Sequence, residues 1–136
     1  MNDQVMAIME LLRKDQRYHL DAYQFVRESL AYAQSVMKMT PQPGEGEEGK
    51  SDQHLTGQQL CQAIREYAVE QYGYLAKTVL NSWGIHTTSD FGEIVYNLIR
   101  IKEMRKSKTD RREDFDDQYD FDTAFAPRFE LASDVA

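Results

Sequence analysis

Apolar positions recur at helical spacing along most of the chain. Val5, Ile8, Met9 and Leu12 fall at i, i+3, i+4 and i+7, the stripe of an amphipathic helix that should stop near Asp15. A second helix is predicted from about Asp21 to Met39, with Phe25, Val26, Leu30, Ala33 and Met37 on its inner side. Periodicity then ceases in Pro41-Gln-Pro-Gly-Glu-Gly-Glu-Glu-Gly-Lys50. Prolines and glycines interrupt regular backbone there and glutamates build no core, so residues 40–53 are expected to form a flexible loop. Order resumes at Thr56-Gly-Gln-Gln59, a Thr-x-x-Gln capping box placed directly before the stripe Leu60, Cys61, Ile64, Tyr67 and Ala68. Gly73 is a plausible end to that helix. Leu75, Val79, Leu80 and Trp83 mark a shorter helix closed by Gly84, and Thr87-Thr-Ser-Asp90 offers several N-caps for the next. Its buried stripe is Phe91, Ile94, Val95, Leu98 and Ile101, and it is expected to run to Met104.

Beyond Met104 charge replaces hydrophobic periodicity. Residues 100–112 are rich in cations (Arg100, Lys102, Arg105, Lys106, Lys108, Arg111, Arg112), whereas residues 113–125 carry acids and no cation. Adjacent segments of opposite sign invite pairing, so a small antiparallel hairpin is predicted at about 104–121, with a polar turn from Thr109 to Asp114. Three helices followed by a hairpin have the order of a winged helix. The expected fold is therefore mainly α: one domain over 1–136 with five helices, a small C-terminal β-hairpin and a winged-helix-like C-terminal half. The tail at 126–136 is expected to be loosely ordered.

Composition agrees with one self-sufficient core: the chain has 136 residues, 41% of them hydrophobic and 29% charged. A net charge of −7 argues against a general nucleic-acid coat, which needs clustered cations. Cys61 is the only cysteine, which suits a reducing compartment. Asp3, Glu10 and Arg13-Lys14 interrupt what would otherwise have to be a signal sequence, and no apolar run has the length of a membrane span, so the expected location is the cytoplasm with no membrane contact.

Several short runs carry a resemblance: His54-Leu-Thr-Gly-Gln-Gln-Leu60, Ile64-Arg-Glu-Tyr-Ala68, Trp83-Gly-Ile85, Asp90-Phe-Gly-Glu-Ile-Val-Tyr-Asn-Leu98 and Arg112-Glu-Asp-Phe115. With Arg17-Tyr18 and Ala22-Tyr-Gln-Phe-Val26, they resemble an uncharacterised family of planctomycete and verrucomicrobial bacteria. The resemblance spans nearly the whole chain outside the loop and the last residues. It implies no activity, cofactor or catalytic residue. Lys102-Glu103-Met104 departs from the Gly-Leu-Leu-like step that follows the last helix in that family.

Catalytic and metal chemistry find no anchor in the residues. His19, His54 and His86 are far apart and lack partners at zinc-site spacing. Cys61 lies on an apolar helix face, which predicts an inert thiol. Nucleotide-binding glycine loops and a Gly-x-Ser-x-Gly elbow are both missing. No cofactor is expected. The function read from the sequence is non-catalytic: an interaction or regulatory module binding another protein, with Phe125 and Phe129 of the acidic–aromatic tail as candidate contacts. The alternative is nucleic-acid binding through Lys106, Lys108, Arg111 and Arg112, although Asp90 and Glu93 would then face phosphates. A third reading, an unrecognised hydrolase or transferase, ranks below both and would need a concave pocket with perturbed carboxylates.

Loop-closure free energy changes by tenths to about 1 kcal/mol when a connector of this kind is shortened. Replacing Pro41–Lys50 with a short Gly-Ser bridge is expected to leave the thermal midpoint within a few degrees. A collapse of stability would show that the prolines or glutamates are docked.

Overall fold

The computed structural model describes residues 2–38 and 55–126. Helix α1 spans Asp3–Lys14 and is capped by the Asn2 side chain, which accepts from the Val5 N–H at 2.8 Å. None of its residues is buried: Ile8, Leu11 and Leu12 rest half-covered against the core, and Val5, Met6 and Met9 are exposed. Helix α2 spans Leu20–Ser35, ending before the expected Met39. There Met37 donates back to the Tyr32 carbonyl and Lys38 takes a φ of +52°, so the chain leaves the helical path. Met39, the loop at 40–53 and the tail beyond Ala126 lie outside the described residues.

Helix α3 spans Gly57–Tyr72 and begins with the capping box read from the sequence, Thr56 and Gln59 each accepting the other's backbone N–H at 3.0 Å. A 3-10 turn at Gly73–Leu75 leads into α4, Ala76–Ser82. Helix α5 spans Thr88–Arg100. It stops short of Met104 because Lys102 adopts a φ of +63° and the Glu103 N–H returns to the Leu98 carbonyl at 2.8 Å. Helices α2, α3 and α5 enclose the core, whose largest fully buried side chains include Tyr23, Ile64, Phe91, Ile94 and Leu98. One turn is dictated by close approach. Gly84 has a φ of +96°, and a Cβ there would collide with the Arg17 carbonyl, so the joint between α1 and α2 lies directly on the turn after α4.

The expected hairpin at 104–121 does not form; the described residues contain no strand. A 3-10 turn at Arg112–Phe115 takes its place, followed by a short helix α6, Phe121–Ala124, capped by the Asp120 side chain. The reason is packing. Phe115 enters a slot between α3 and α5 floored by two glycines, and a tight turn delivers it where a strand would carry it past. With no hairpin there is no wing, and the fold is mainly helical without the winged-helix feature. One pair between the basic and acidic segments does form, Arg112 with Asp116 at 2.8 Å, but across a tight turn; Arg112 also reaches Glu93 of α5 at 3.4 Å, and Asp122 docks on Lys77 of α4.

A polar network fastens these parts to α5. Asn97 is buried and saturated: its amide donates to Asp15 and to the Tyr23 hydroxyl, each at 3.0 Å, and its carbonyl accepts from Arg100 at 2.9 Å. Arg17 joins Asp15 at 2.7 Å to Glu93 at 3.2 Å. Tyr18 donates to Asp90, whose other oxygen caps α5 by accepting from the His86 and Thr87 N–H groups at 2.8 and 3.1 Å. Burial, followed by the Asp90 bond, pushes the Tyr18 hydroxyl far above the ordinary phenol range, so it remains a donor.

Two outcomes follow from this packing. A mid-helix Gly→Ala change ordinarily stabilises by about 1 kcal/mol. At Gly92, however, a Cβ would stand 3.0 Å from the Phe115 Cβ. Gly92→Ala is therefore expected to lower stability by about 1–3 kcal/mol in chemical denaturation; a gain would show that the slot is loose. The Arg17 hydrogen bond, aided by Asn97, holds the Asp15 carboxyl well below its ordinary value of 3.8. A depressed folded-state pKa contributes stability that is complete above the unfolded value and is lost as pH falls below it. Asp15→Asn should thus cost about 1–2 kcal/mol at pH 7. The gap to the native chain should narrow from about pH 4 downward; a pH-independent gap would assign the cost to packing.

Candidate functional site

The turn of the chain after α5 opens a cleft of about 500 Å³. Leu30 and Gln34 of α2 form one wall, Leu55 to Gly57 and Leu60 at the start of α3 form the second, and Val95, Tyr96 and Ile99 of α5 form the third. The segment from Glu103 to Phe115 closes the last side, placing Met104 and Phe115 on the apolar surface and Arg105, Asp110, Arg111 and Asp114 around it. Glu103, whose side chain is almost fully buried, anchors the start of that segment on Arg27 of α2 at 3.2 Å. Phe115 anchors its end.

Tyr96 gives this cleft a polar feature. Its hydroxyl oxygen is buried and finds no hydrogen-bond partner among the described residues. Burial raises its pKa first, and Asp110, Asp114 and Glu113 add to the rise. The group is thus a protonated donor lacking an acceptor, a state that costs about 1–3 kcal/mol in a buried position. An occupant bringing a carbonyl oxygen would relieve it. An apolar lining with few, placed polar groups is the usual chemistry of a binding pocket.

A second recess of about 550 Å³ lies on the other side of the 3-10 turn, lined by Lys77, Asn81, His86, Ser89, Asp117 and Asp120 among others. It is polar. Although acids gather there, the described residues contain no group of three or more His, Cys, Asp or Glu side chains placed to hold a metal ion.

The residues singled out from the sequence fall in different places. Phe125 is buried, edge-on to Phe121 at 5.1 Å and to Tyr119 at 6.1 Å, because α6 folds it back on the core; it is not an available contact. Phe129 lies outside the described residues. Lys106, Lys108 and Arg111 are exposed, Lys106 donating to the Ser107 carbonyl at 3.1 Å. Arg112 is engaged by Glu93 and Asp116. Cys61 is buried and its thiol is pushed up to about 12, as expected of an inert thiol. His19 stands at the start of α2 and His86 is exposed, while His54 lies outside the described residues. The cleft itself escaped sequence reasoning. Val95 is legible as part of the α5 stripe, but Tyr96 and Ile99 meet Leu30 only through the packing of α5 on α2, and Phe115 only through the reversal at Lys102.

No helix among the described residues is long and apolar enough to cross a membrane. Comparisons with family models, with curated proteins and with solved structures found no match for this chain.

Proposed function

We propose that this protein is a non-catalytic interaction module that receives an apolar side chain of a partner protein in the cleft between α2, α3 and α5. The observation that carries this reading is the pairing of an open apolar cleft with a buried, acceptor-seeking Tyr96 hydroxyl. A peptide segment meets both needs, since its side chain fills the lining and its backbone carbonyl accepts from Tyr96. Rim charges of both signs suit a polypeptide better than a polyanion. The alternative, nucleic acid at Lys106, Lys108, Arg111 and Arg112, has less support: Asp110, Glu113 and Asp114 lie among those cations, and Arg112 is already paired with two carboxylates.

The test is affinity purification from native lysate, with and without nuclease, using the native chain, Ile99→Lys and Tyr96→Phe. A nuclease-resistant protein is expected on the native chain and absent from Ile99→Lys, with both variants checked for unchanged circular dichroism. Tyr96→Phe should weaken that partner's binding severalfold, the magnitude of one hydrogen bond. Retention of the same partner by Ile99→Lys would overturn the cleft as the site. Loss of all binding on nuclease treatment would move the function to nucleic acid.

A further inference from the structure

Away from the cleft, the seam between α2 and α3 carries a row of touching aromatic rings. Tyr32 meets Tyr67 with centroids 5.0 Å apart, Tyr67 meets Phe25 at 5.3 Å, and Phe25 meets Tyr72 at 6.2 Å and Trp83 at 5.5 Å. Tyr72 and Trp83 close the row edge-to-face at 6.0 Å. Phe25 is buried, but Tyr32, Tyr67, Tyr72 and Trp83 are each partly open to solvent. Exposed apolar residues flank the row: Leu20 opens α2 directly after His19, whose N–H donates to the Trp83 carbonyl at 3.2 Å, and Tyr74 and Leu75 are 73% and 53% exposed on the 3-10 turn after α3.

The charged groups shown to act on these rings are acidic. Glu28 accepts from the Tyr67 hydroxyl at 3.1 Å, and the charges of Glu28 and Asp21 both act on Tyr72. Glu66 and Glu70 stand one residue before and three after Tyr67 on α3, both exposed. The three cations of α2, α3 and α4 are committed elsewhere: Arg27 to Glu103 at 3.2 Å, Arg65 to the Ala124 carbonyl at 3.3 Å, and Lys77 to Asp122. Ring faces attract cations, and a planar guanidinium stacks on them while its N–H groups reach carboxylates.

We infer that the α2–α3 seam is a docking surface for an arginine-bearing, cationic segment of a protein partner. Guanidinium groups lie along the Tyr32, Tyr67, Tyr72 and Trp83 rings, and Asp21, Glu28, Glu66 and Glu70 neutralise their charge. This surface is independent of the cleft and does not require the cleft reading to hold.

Trp83 is the chain's single tryptophan, so its emission reports on this surface alone. The probe is a labelled nine-residue peptide of alternating arginine and glycine, titrated against the full chain at low salt with anisotropy and Trp83 fluorescence read together. Saturable binding with a change in Trp83 emission is expected. Tyr32→Ala should weaken it about fivefold, Glu28→Gln combined with Glu70→Gln about tenfold, and a lysine–glycine peptide should bind severalfold less tightly. Ile99→Lys, which blocks the cleft, should bind the peptide unchanged. Binding that leaves Trp83 emission unaltered would place the peptide on the acidic 113–122 segment and overturn the proposal. Equal affinity for the lysine peptide, or for the carboxylate variants at unchanged thermal midpoint, would overturn it as well.

Discussion

Phe115 sits between Gly57 and Gly92, and the remainder of the C-terminal half is arranged by that contact. A Cβ on Gly57 would stand 2.9 Å from the ring's Cε1, and one on Gly92 would stand 3.1 Å from its Cδ1 and Cγ. The ring thus touches the backbone of two helices at once, which only residues without side chains allow. Phe115 thereby bridges the start of α3 and the first half of α5. Everything after α5 follows from delivering that group: the reversal at Lys102, the Glu103–Arg27 anchor, the 3-10 turn, and the return of the chain through Tyr119, whose hydroxyl donates to the Cys61 carbonyl at 2.7 Å. The cleft is the space left on the near side of the same span. Its shape is therefore a consequence of how far residues 103–115 must travel to reach the slot.

The polar network along α5 has the complementary task. Apolar contacts hold α5 by its inner stripe, while Asp15, Arg17, Tyr18, Arg112 and Asp116 grip its outer edge through Asp90, Glu93, Asn97 and Ser89. These groups are far apart in sequence, so the network ties the α1–α2 joint and the 3-10 turn to one helix. It also consumes the cations and acids that lie closest together. Hydrogen bonds from Arg17 and Ser89 hold the Asp15 and Asp116 carboxyls below their ordinary values there, and burial raises the Tyr18 hydroxyl. The network's groups satisfy one another, whereas the Tyr96 hydroxyl in the cleft has no partner among the described residues.

Local signals carried the helices well and the C-terminal segment poorly. The Thr56–Gln59 box, the stripe of α5 and the glycine stops at Gly73 and Gly84 all depend on residues within one or two turns, and each is where the periodicity and caps placed it. The hairpin was inferred from opposite charge in neighbouring segments. Charge does not specify the geometry that satisfies it: Arg112 meets Asp116 across a tight turn and Glu93 on α5, and Asp122 meets Lys77 on α4. Phe125 resembled an available residue because it lies in the acidic–aromatic tail, yet Asp120 caps a short helix that turns the ring inward. The slot for Phe115 was invisible for a different reason. Gly57 and Gly92 sit inside helical patterns, where a glycine alone signals weakness, and their common purpose emerges only when α3 and α5 are side by side. The cleft and the seam share that origin, since both join residues that are separated by dozens of positions.

The solitary thiol has a use of its own. Cys61 is 1% exposed, and its elevated pKa leaves almost none of it ionised at neutral pH, so the folded chain offers thiol-directed reagents almost nothing to attack. Any cysteine placed by design on the surface becomes the sole rapid site of labelling, with no native residue to remove first. Conversely, slow modification of Cys61 itself registers each occasion on which α3 lifts from its neighbours. The native protein thereby carries an internal clock for core opening, one that can be read in crude extracts without adding a single probe atom to the sequence.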